Sequence, residues 1–323
     1  MKKGNWKNRE GNSESRFGSG SGTGSSREHG SDKVDYEKTD IRDHRVDAAE
    51  FHQPGISIFR SPKQLSTEKK ILSSLSGRPL ELAKVLFADD VLQGIQEYAN
   101  SVSITRMGMN DHGPVHMRIA MQNSIDIFNL LVDAGVEPNL VSEKYGTVED
   151  SLMAVMLGTF LHDLGMSVGR QNHELMSSIL AQEHIGRILG QFYDDPIKLA
   201  VMRSLVTECI VGHMATQKIG SLEAGIVLVA DGCDMIGGRA RISMSIAKVA
   251  HVGDIHRYSA YSITNVKIDK GSEKPVCISV KMNESAGFFQ VEQVLMPKVM
   301  ASPIKKYIEL YAKWGSHESQ RYL

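Results

Sequence analysis

Leu152-Met-Ala-Val-Met-Leu-Gly-Thr-Phe-Leu-His162-Asp163-Leu-Gly165 is apolar on every side until it reaches a histidine and an aspartate. Thr147, followed three residues later by Asp150, has the pattern of a capping box at a helix start. Gly165 suits a left-handed stop just past the end. The stretch predicts one buried helix that carries an imidazole and a carboxylate on its last turn. A helix C-terminus carries roughly half a negative charge, so it repels Asp163. Burial adds several kcal/mol more for an unpaired charge. A metal ion beside Asp163 is the simplest remedy. An Arg partner, or a surface-facing pair at a fraying end, would also satisfy the stretch.

Upstream, Asn110-Asp-His112-Gly-Pro-Val-His116 precedes another apolar pattern. Pro114 fits the first helical position with Gly113 as cap, and the helix is expected to run to about Ala134. His116 then sits in the first turn and His112 just before it. The pair either points into one cavity or divides into a turn residue and a core histidine. Earlier still, Leu65–Leu75, Leu80–Phe87 and Val91–Ile104 read as short helices, broken at Ser76-Gly-Arg-Pro and Ala88-Asp-Asp.

Downstream, Val136–Gly146 reads as a loop ahead of the His162-Asp163 helix. A later helix opens with His173-Glu174, and its inner face is read as Ile179, Leu180, Ile185, Ile188 and Leu189. His184 on it is read as a surface residue. Asp194-Asp-Pro196 starts the next helix, which ends at His213. The apolar run Ile226–Ala230 leads to Asp231, as a parallel strand or as a buried helix. The helical character of everything before it favours the helix. Gly237-Gly-Arg239-Ala-Arg241 follows, a turn permissive for approach of an anion or simply an exposed basic turn.

The two ends differ in texture. Residues 1–50 are dominated by Gly, Ser and charged residues, and Phe17–Ser26 has the composition of a flexible linker. This tail is expected to be disordered, because it cannot bury enough apolar surface to offset its ordering entropy. At the other end, Tyr261–Ile268 and Val276–Met282 flank the turn at Asp269–Pro275 and predict a β-hairpin. Phe288–Trp314 reads as one or two helices interrupted near Pro297 and Pro303. The expected organisation is a tail over 1–50, a helical domain over 60–260 and a hairpin-plus-helix extension over 261–323. The fold class is mainly α.

Composition narrows the function classes. The formal net charge of -1 over 323 residues gives no electrostatic case for a nucleic-acid surface or an anionic membrane. Cys209, Cys233 and Cys277 form an odd set without C-x-x-C spacing, which fits reduced thiols better than disulfides or a zinc knuckle. The first residues lack the apolar core of a secretory signal, and no run approaches the ~18 apolar residues of a membrane span. The expected location is the cytoplasm. The remaining outliers are His116, His162, Asp163, His173, His213 and Asp231, each near a predicted helix end. Imidazoles with carboxylates suit Zn, Fe, Mn, Co or Ni, and a carboxylate between imidazole sets is placed to bridge two ions.

In this order, His116, His162-Asp163 and a Val-Ala-Asp231 resemble the HD-domain superfamily of metal-dependent phosphohydrolases, particularly its prokaryotic and archaeal members. The resemblance covers roughly residues 105–245. It implies an overwhelmingly helical bundle and hydrolysis of a phosphate ester, phosphodiester or nucleotide. It implies that His116, His162, Asp163 and Asp231 hold a first divalent ion (Mn, Fe, Co, Ni, Zn or Mg). His173 and His213 would help to hold a second, with Asp163 bridging. His112-x-x-x-His116 is similar to the cyclic-nucleotide phosphodiesterase motif whose first histidine donates a proton, so His112 and Asp163 are the expected catalytic residues. Arg239 and Arg241 are expected to hold substrate phosphate. The implied partner is a small phosphorylated or nucleotide substrate, with homo-oligomerisation left open. Two departures matter. His213-Met214 stands where some subfamilies have consecutive histidines, and the Gly-Tyr-Pro signature of the cyclic-di-GMP branch is absent. A few superfamily members use the same ligands for two irons in oxygenation, and a non-catalytic nucleotide sensor is a further alternative.

Overall fold

The computed structural model describes residues 60–237 and 255–323, all within one compact unit, Pro54–Leu323. The tail expected over residues 1–50 and the turn bearing Arg239 and Arg241 lie outside the described residues. Three helices come first: α1 (Pro62–Ser74), α2 (Gly77–Ala88) and α3 (Asp90–Ser101). α3 does not continue as an α-helix to Ile104. It widens into a π-helical turn, Val102–Arg106. Then follow α4 (Pro114–Asp133), the short α5 (Asn139–Ser142), α6 (Val148–Leu161), α7 (His173–Leu189), α8 (Pro196–Gly212) and α9 (Leu222–Gly232).

α6 and α9 form the centre. Every residue of α6 from Asp150 to Leu161 is buried, and so is all of α9. A helix without a polar face needs neighbours all round. α6 packs against α4, α8 and α9, while α9 packs against α4 and α8. Each start is set by its sequence. Thr147 Oγ1 accepts from Asp150 N (3.2 Å) and Asp150 Oδ2 accepts from Thr147 N (2.9 Å), a complete capping box. Pro114 follows the Gly113 cap, and Pro196 follows Asp195, whose Oδ1 accepts from Ile197 N. Ser221 Oγ accepts from Ala224 N, and Ile226–Ala230 is helical.

Three expectations need correction here. The segment Val136–Gly146 is not wholly a loop, because Glu223 orders α5: its carboxylate accepts from Asn139 N, Leu140 N and Ser151 Oγ. On α7 the inner face runs through Ser177, Ala181, Ile185, Ile188 and Leu189, so Ile179 and Leu180 lie outward. His184 belongs to the buried side rather than the surface, within 3.2 Å of Arg187 Nη2.

After a helix α10 (Ile255–Ser262) comes the predicted hairpin, β1 (Ile263–Lys270) antiparallel to β2 (Val276–Met282). Beyond it, the reading of Phe288–Trp314 as helices holds only in part. α11 (Gly287–Gln290), a π-helical turn (Val291–Leu295), α12 (Met296–Ala301) and a 3-10 turn (Pro303–Tyr307) lead into strand β3 (Ile308–Trp314). β3 pairs parallel to β2 from Val276↔Ile308 to Met282↔Trp314, and β4 (Gln320–Arg321) pairs antiparallel to β3. Ile308, Leu310 and Ala312 alternate inward, a period-two pattern that outweighs helix formation once Pro303 has broken the chain. The sheet lies against α4, and α12 lies against α9. The described residues are thus mainly helical with a small four-stranded sheet. No helix among them is long and apolar enough to cross a membrane.

Candidate metal centre

Four helix ends meet beside α9. His116 comes from the first turn of α4, His162 and Asp163 from just beyond the last turn of α6, His173 from the start of α7, and His213 from the C-cap of α8. Asp231 is on the last turn of α9. All six are buried. Gly165 makes this convergence possible for a reason other than the one expected. It is not a left-handed stop, since it lies in a 3-10 turn, Leu164–Ser167, and is not among the positive-φ glycines. A Cβ there would meet His173 O at 2.1 Å and Ser177 N at 2.6 Å. The absent side chain lets α7 approach close enough to deliver His173.

Each imidazole of the group is pinned through Nδ1. His116 Nδ1 bonds Asp234 Oδ2 (2.7 Å), His162 Nδ1 bonds Thr159 O (2.6 Å), His173 Nδ1 bonds Arg170 O (2.9 Å) and His213 Nδ1 bonds Ile210 O (2.6 Å). An acceptor at Nδ1 keeps the proton there and turns the Nε2 lone pair inward. The Nε2 atoms consequently face each other in pairs, 3.2 Å apart for His116 and His162 and 3.0 Å apart for His173 and His213. Two lone pairs do not sit at that distance without a cation or proton between them.

The carboxylates complete two groups. Asp231 Oδ1 lies 3.1 Å from His116 Nε2 and 3.7 Å from His162 Nε2. Asp163 is divided: Oδ2 is 3.4 Å from both His116 and His162 Nε2, while Oδ1 is 3.2 Å from His173 and 3.4 Å from His213 Nε2. The ligand atoms of His116, His162 and Asp231 lie within 4.8 Å of one another, as do those of His162, Asp163 and His213. These buried groups have the donor types and the spacing to hold a metal ion.

The electrostatics divide the imidazoles: the carboxylates favour positive charge at His162, whereas burial keeps His213 neutral. Burial alone would depress His162, but the Asp163 and Asp231 carboxylates outweigh it and lift the imidazole to about 9. Burial lowers His213 to about 4, against the pull of Asp163. Burial also opposes ionisation of Asp163 and Asp231, yet His162 beside the first and Lys298 beside the second hold both carboxyls well below the usual range.

His112 is near but not in the cluster. Its ring centroid is 5.9 Å from that of His116, and its Nδ1 bonds Asn110 O at 2.7 Å. It lines a cavity of about 600 Å³, into which Asp163, Asp231, Asp234, Arg170 and Lys298 also open. Two of these, Asp234 and Lys298, are not among the expected site residues. Asp234 fixes the His116 ring, and its only sequence signal is the spacing of three from Asp231. Lys298 Nζ bonds Asp231 Oδ2 and His213 O, and nothing in the sequence near Lys298 announces that.

No family model matches the chain, and no solved structure matches it. An uncharacterised protein of Methanocaldococcus jannaschii is 38% identical over 242 residues, which cover 75% of this chain and 92% of that protein. Identity at this level across most of both sequences means that this chain belongs to the same family as the archaeal protein.

Proposed function

We propose that the protein is a metal-dependent phosphohydrolase with an HD-type helical bundle, acting on a phosphate ester, phosphodiester or nucleotide. The observation that carries this reading is the division of Asp163, one oxygen towards each pair of imidazoles. His116, His162, Asp163 and Asp231 would hold one divalent ion, and His173, His213 and Asp163 a second. Mn, Fe, Co, Ni, Zn and Mg are the candidates, with nitrogen-rich ligation favouring the transition metals. When bound, such ions supply Lewis acidity: they polarise phosphoryl oxygens and lower the pKa of water to near neutral.

The protein's own residues supply the rest. The Nδ1 partners keep four imidazoles from rotating away. The four imidazoles are buried, which strengthens each electrostatic contact they make. His112 stands at the cavity wall with Nδ1–H held by Asn110 O, so its imidazolium form, protonated at both nitrogens, would give the Nε2 proton to the leaving oxygen and be left neutral. Arg239 and Arg241, the expected phosphate ligands, lie outside the described residues.

The test is metal analysis of the full chain purified without chelator, then a phosphate-release screen with Mn, Co, Ni and Mg. Release of phosphate that chelation abolishes and metal restores supports the reading. A di-iron protein that consumes oxygen with an organic substrate and releases no phosphate would replace it with oxygenation.

A further inference from the structure

Lys298 is a cation in an unusual place. It is 8% exposed and belongs to α12, which carries none of the histidines. Its Nζ donates to Asp231 Oδ2 and, at 2.9 Å, to His213 O. An ammonium taken out of water costs several kcal/mol unless it is paired, and Asp231 supplies the pairing. The path of its stem is built into the neighbouring helix. A Cβ at Gly232 would meet Lys298 Cδ at 3.0 Å and Leu295 Cδ1 at 3.2 Å, so glycine at this position leaves the lysine room to lie against α9. The delivering segment is itself irregular. The π-helical turn Val291–Leu295 immediately precedes α12, and such turns are rare and concentrate at functional sites. It places Gln293 and Val294 on the cavity wall, and Lys298 follows them there.

Simple charge balance for Asp231 leaves two features unused. Asp231 turns Oδ1 to the imidazoles and Oδ2 to Lys298, so the lysine orients the carboxylate without occupying its ligand oxygen. Lys298 also lines the cavity rather than the core. An ammonium has three donors. Two are engaged by Asp231 and His213, and the third remains for an oxygen in the cavity. The ions would offset Asp163 and Asp231, and a phosphoryl group bound to them still presents a non-bridging oxygen that can accept from the Lys298 ammonium. Arg170, the other Lys or Arg among the described lining residues, stands by His173 at 3.5 Å, on the far side of Asp163.

We propose that Lys298 is an anion-binding residue of this site and holds a non-bridging phosphoryl oxygen of the substrate beside Asp231. This rests on the phosphohydrolase reading above and deepens it: the substrate's phosphoryl group is bound by a residue from outside the histidine-bearing helices.

The experiment uses the full chain loaded with Mn, with inorganic phosphate as the probe in calorimetric titrations and metal content measured on the same samples. Lys298→Gln is expected to keep its metal and to bind phosphate about tenfold more weakly or worse, the scale of one charge-assisted hydrogen bond. Lys298→Met, which preserves the buried stem, should do the same and serves if the glutamine variant does not fold. Lys298→Arg should restore most of the affinity. Unchanged phosphate affinity in a metal-replete Lys298→Gln or Lys298→Met protein overturns the anchor while leaving the phosphohydrolase reading intact. Loss of metal from these variants also overturns it, making Lys298 a positioning residue for Asp231. A wild-type protein that holds Mn but binds no phosphate sinks both readings together.

Discussion

The two oxygens of Asp163 face different imidazole pairs, and this gives its replacement a signature that no neighbour shares. Asp163→Asn keeps the shape and removes the charge from both groups, so both should lose metal. Asp231→Asn should weaken only the group of His116 and His162. Elemental analysis after dialysis checks this, and equal losses from the two variants would contradict the bridging position. His112 predicts a different pattern. It bonds Asn110 O and stands 5.9 Å from the His116 ring, outside both donor groups. His112→Ala should retain metal and slow turnover by about 10²–10⁴-fold on a substrate with a poor leaving group. An emptied site would reassign it as a ligand. At this scale much was legible in the sequence. His116, His162, Asp163, His173, His213 and Asp231 stood out because a polar side chain at the end of an apolar helix must have a partner. Lys298 was not legible, since its contact with Asp231 spans 67 positions and leaves no local pattern.

Helix α6 depends on its two ends more than on its length. At its start, Asp150 closes the capping box and also accepts from Tyr193 (2.6 Å), Arg78 (3.0 Å) and Lys198 (2.8 Å). Burial opposes its ionisation, but the hydrogen bonds from Lys198, Tyr193 and the Thr147 amide prevail, and the carboxyl is held below the usual range. A depressed folded pKa stabilises above the unfolded value of about 3.9 and is lost as pH falls below it. The wild type should therefore lose stability below about pH 4. Asp150→Asn should be weaker by about 1–3 kcal/mol at neutral pH and lose less on acidification. Urea melts at pH 7 and pH 3 compare them, and parallel pH profiles would exclude Asp150 as a source. Past the other end, Gly165→Ala drives a methyl group into the α7 backbone. It should cost about 3 kcal/mol or more and release metal from the His173 group first. A melting temperature within a degree of wild type would refute that close approach. The capping box was legible because its signal spans three residues. The role of Gly165 was misread, because a glycine after a helix signals a turn and a close packing contact equally well. β3 was missed for a related reason. Short apolar alternation just after a proline is weak evidence until a neighbouring strand exists to pair with it.

Across the whole molecule, one buried guanidinium joins what the helices keep apart. Arg118 of α4 bonds Glu68 of α1 (2.9 Å) and Gln93 of α3 (2.8 Å), and lies over the Phe160 ring of α6 at 4.5 Å. Desolvation lowers it to about 10, and Glu68 limits the fall. Arg118 and Phe160 each lie two residues from a histidine of the centre, so this network ties the segments that carry His116 and His162 to α1 and α3. The predominance of helix and the β1–β2 hairpin could be read from the sequence, whereas the parallel β2–β3 pair could not, because it is a long-range event. That pair has a kinetic consequence. No tight turn joins β2 to β3, and the connection is the irregular stretch that carries Lys298. Contacts between near neighbours in sequence form early, and those that wait on wide loop closure form late. Pairing β2 with β3 closes 32 positions, from Val276 to Ile308, against 40 between His173 and His213 and 46 between His116 and His162, so in a refolding chain the sheet should form before the metal centre gathers. Trp314 lies on β3, so its fluorescence should change before cobalt, coloured when bound, is taken up in stopped-flow refolding. Simultaneous appearance would mean that bundle and sheet form in a single step. A fluorescence change ahead of the colour means that the segment carrying Lys298 is in place before a metal ion can bind beside it.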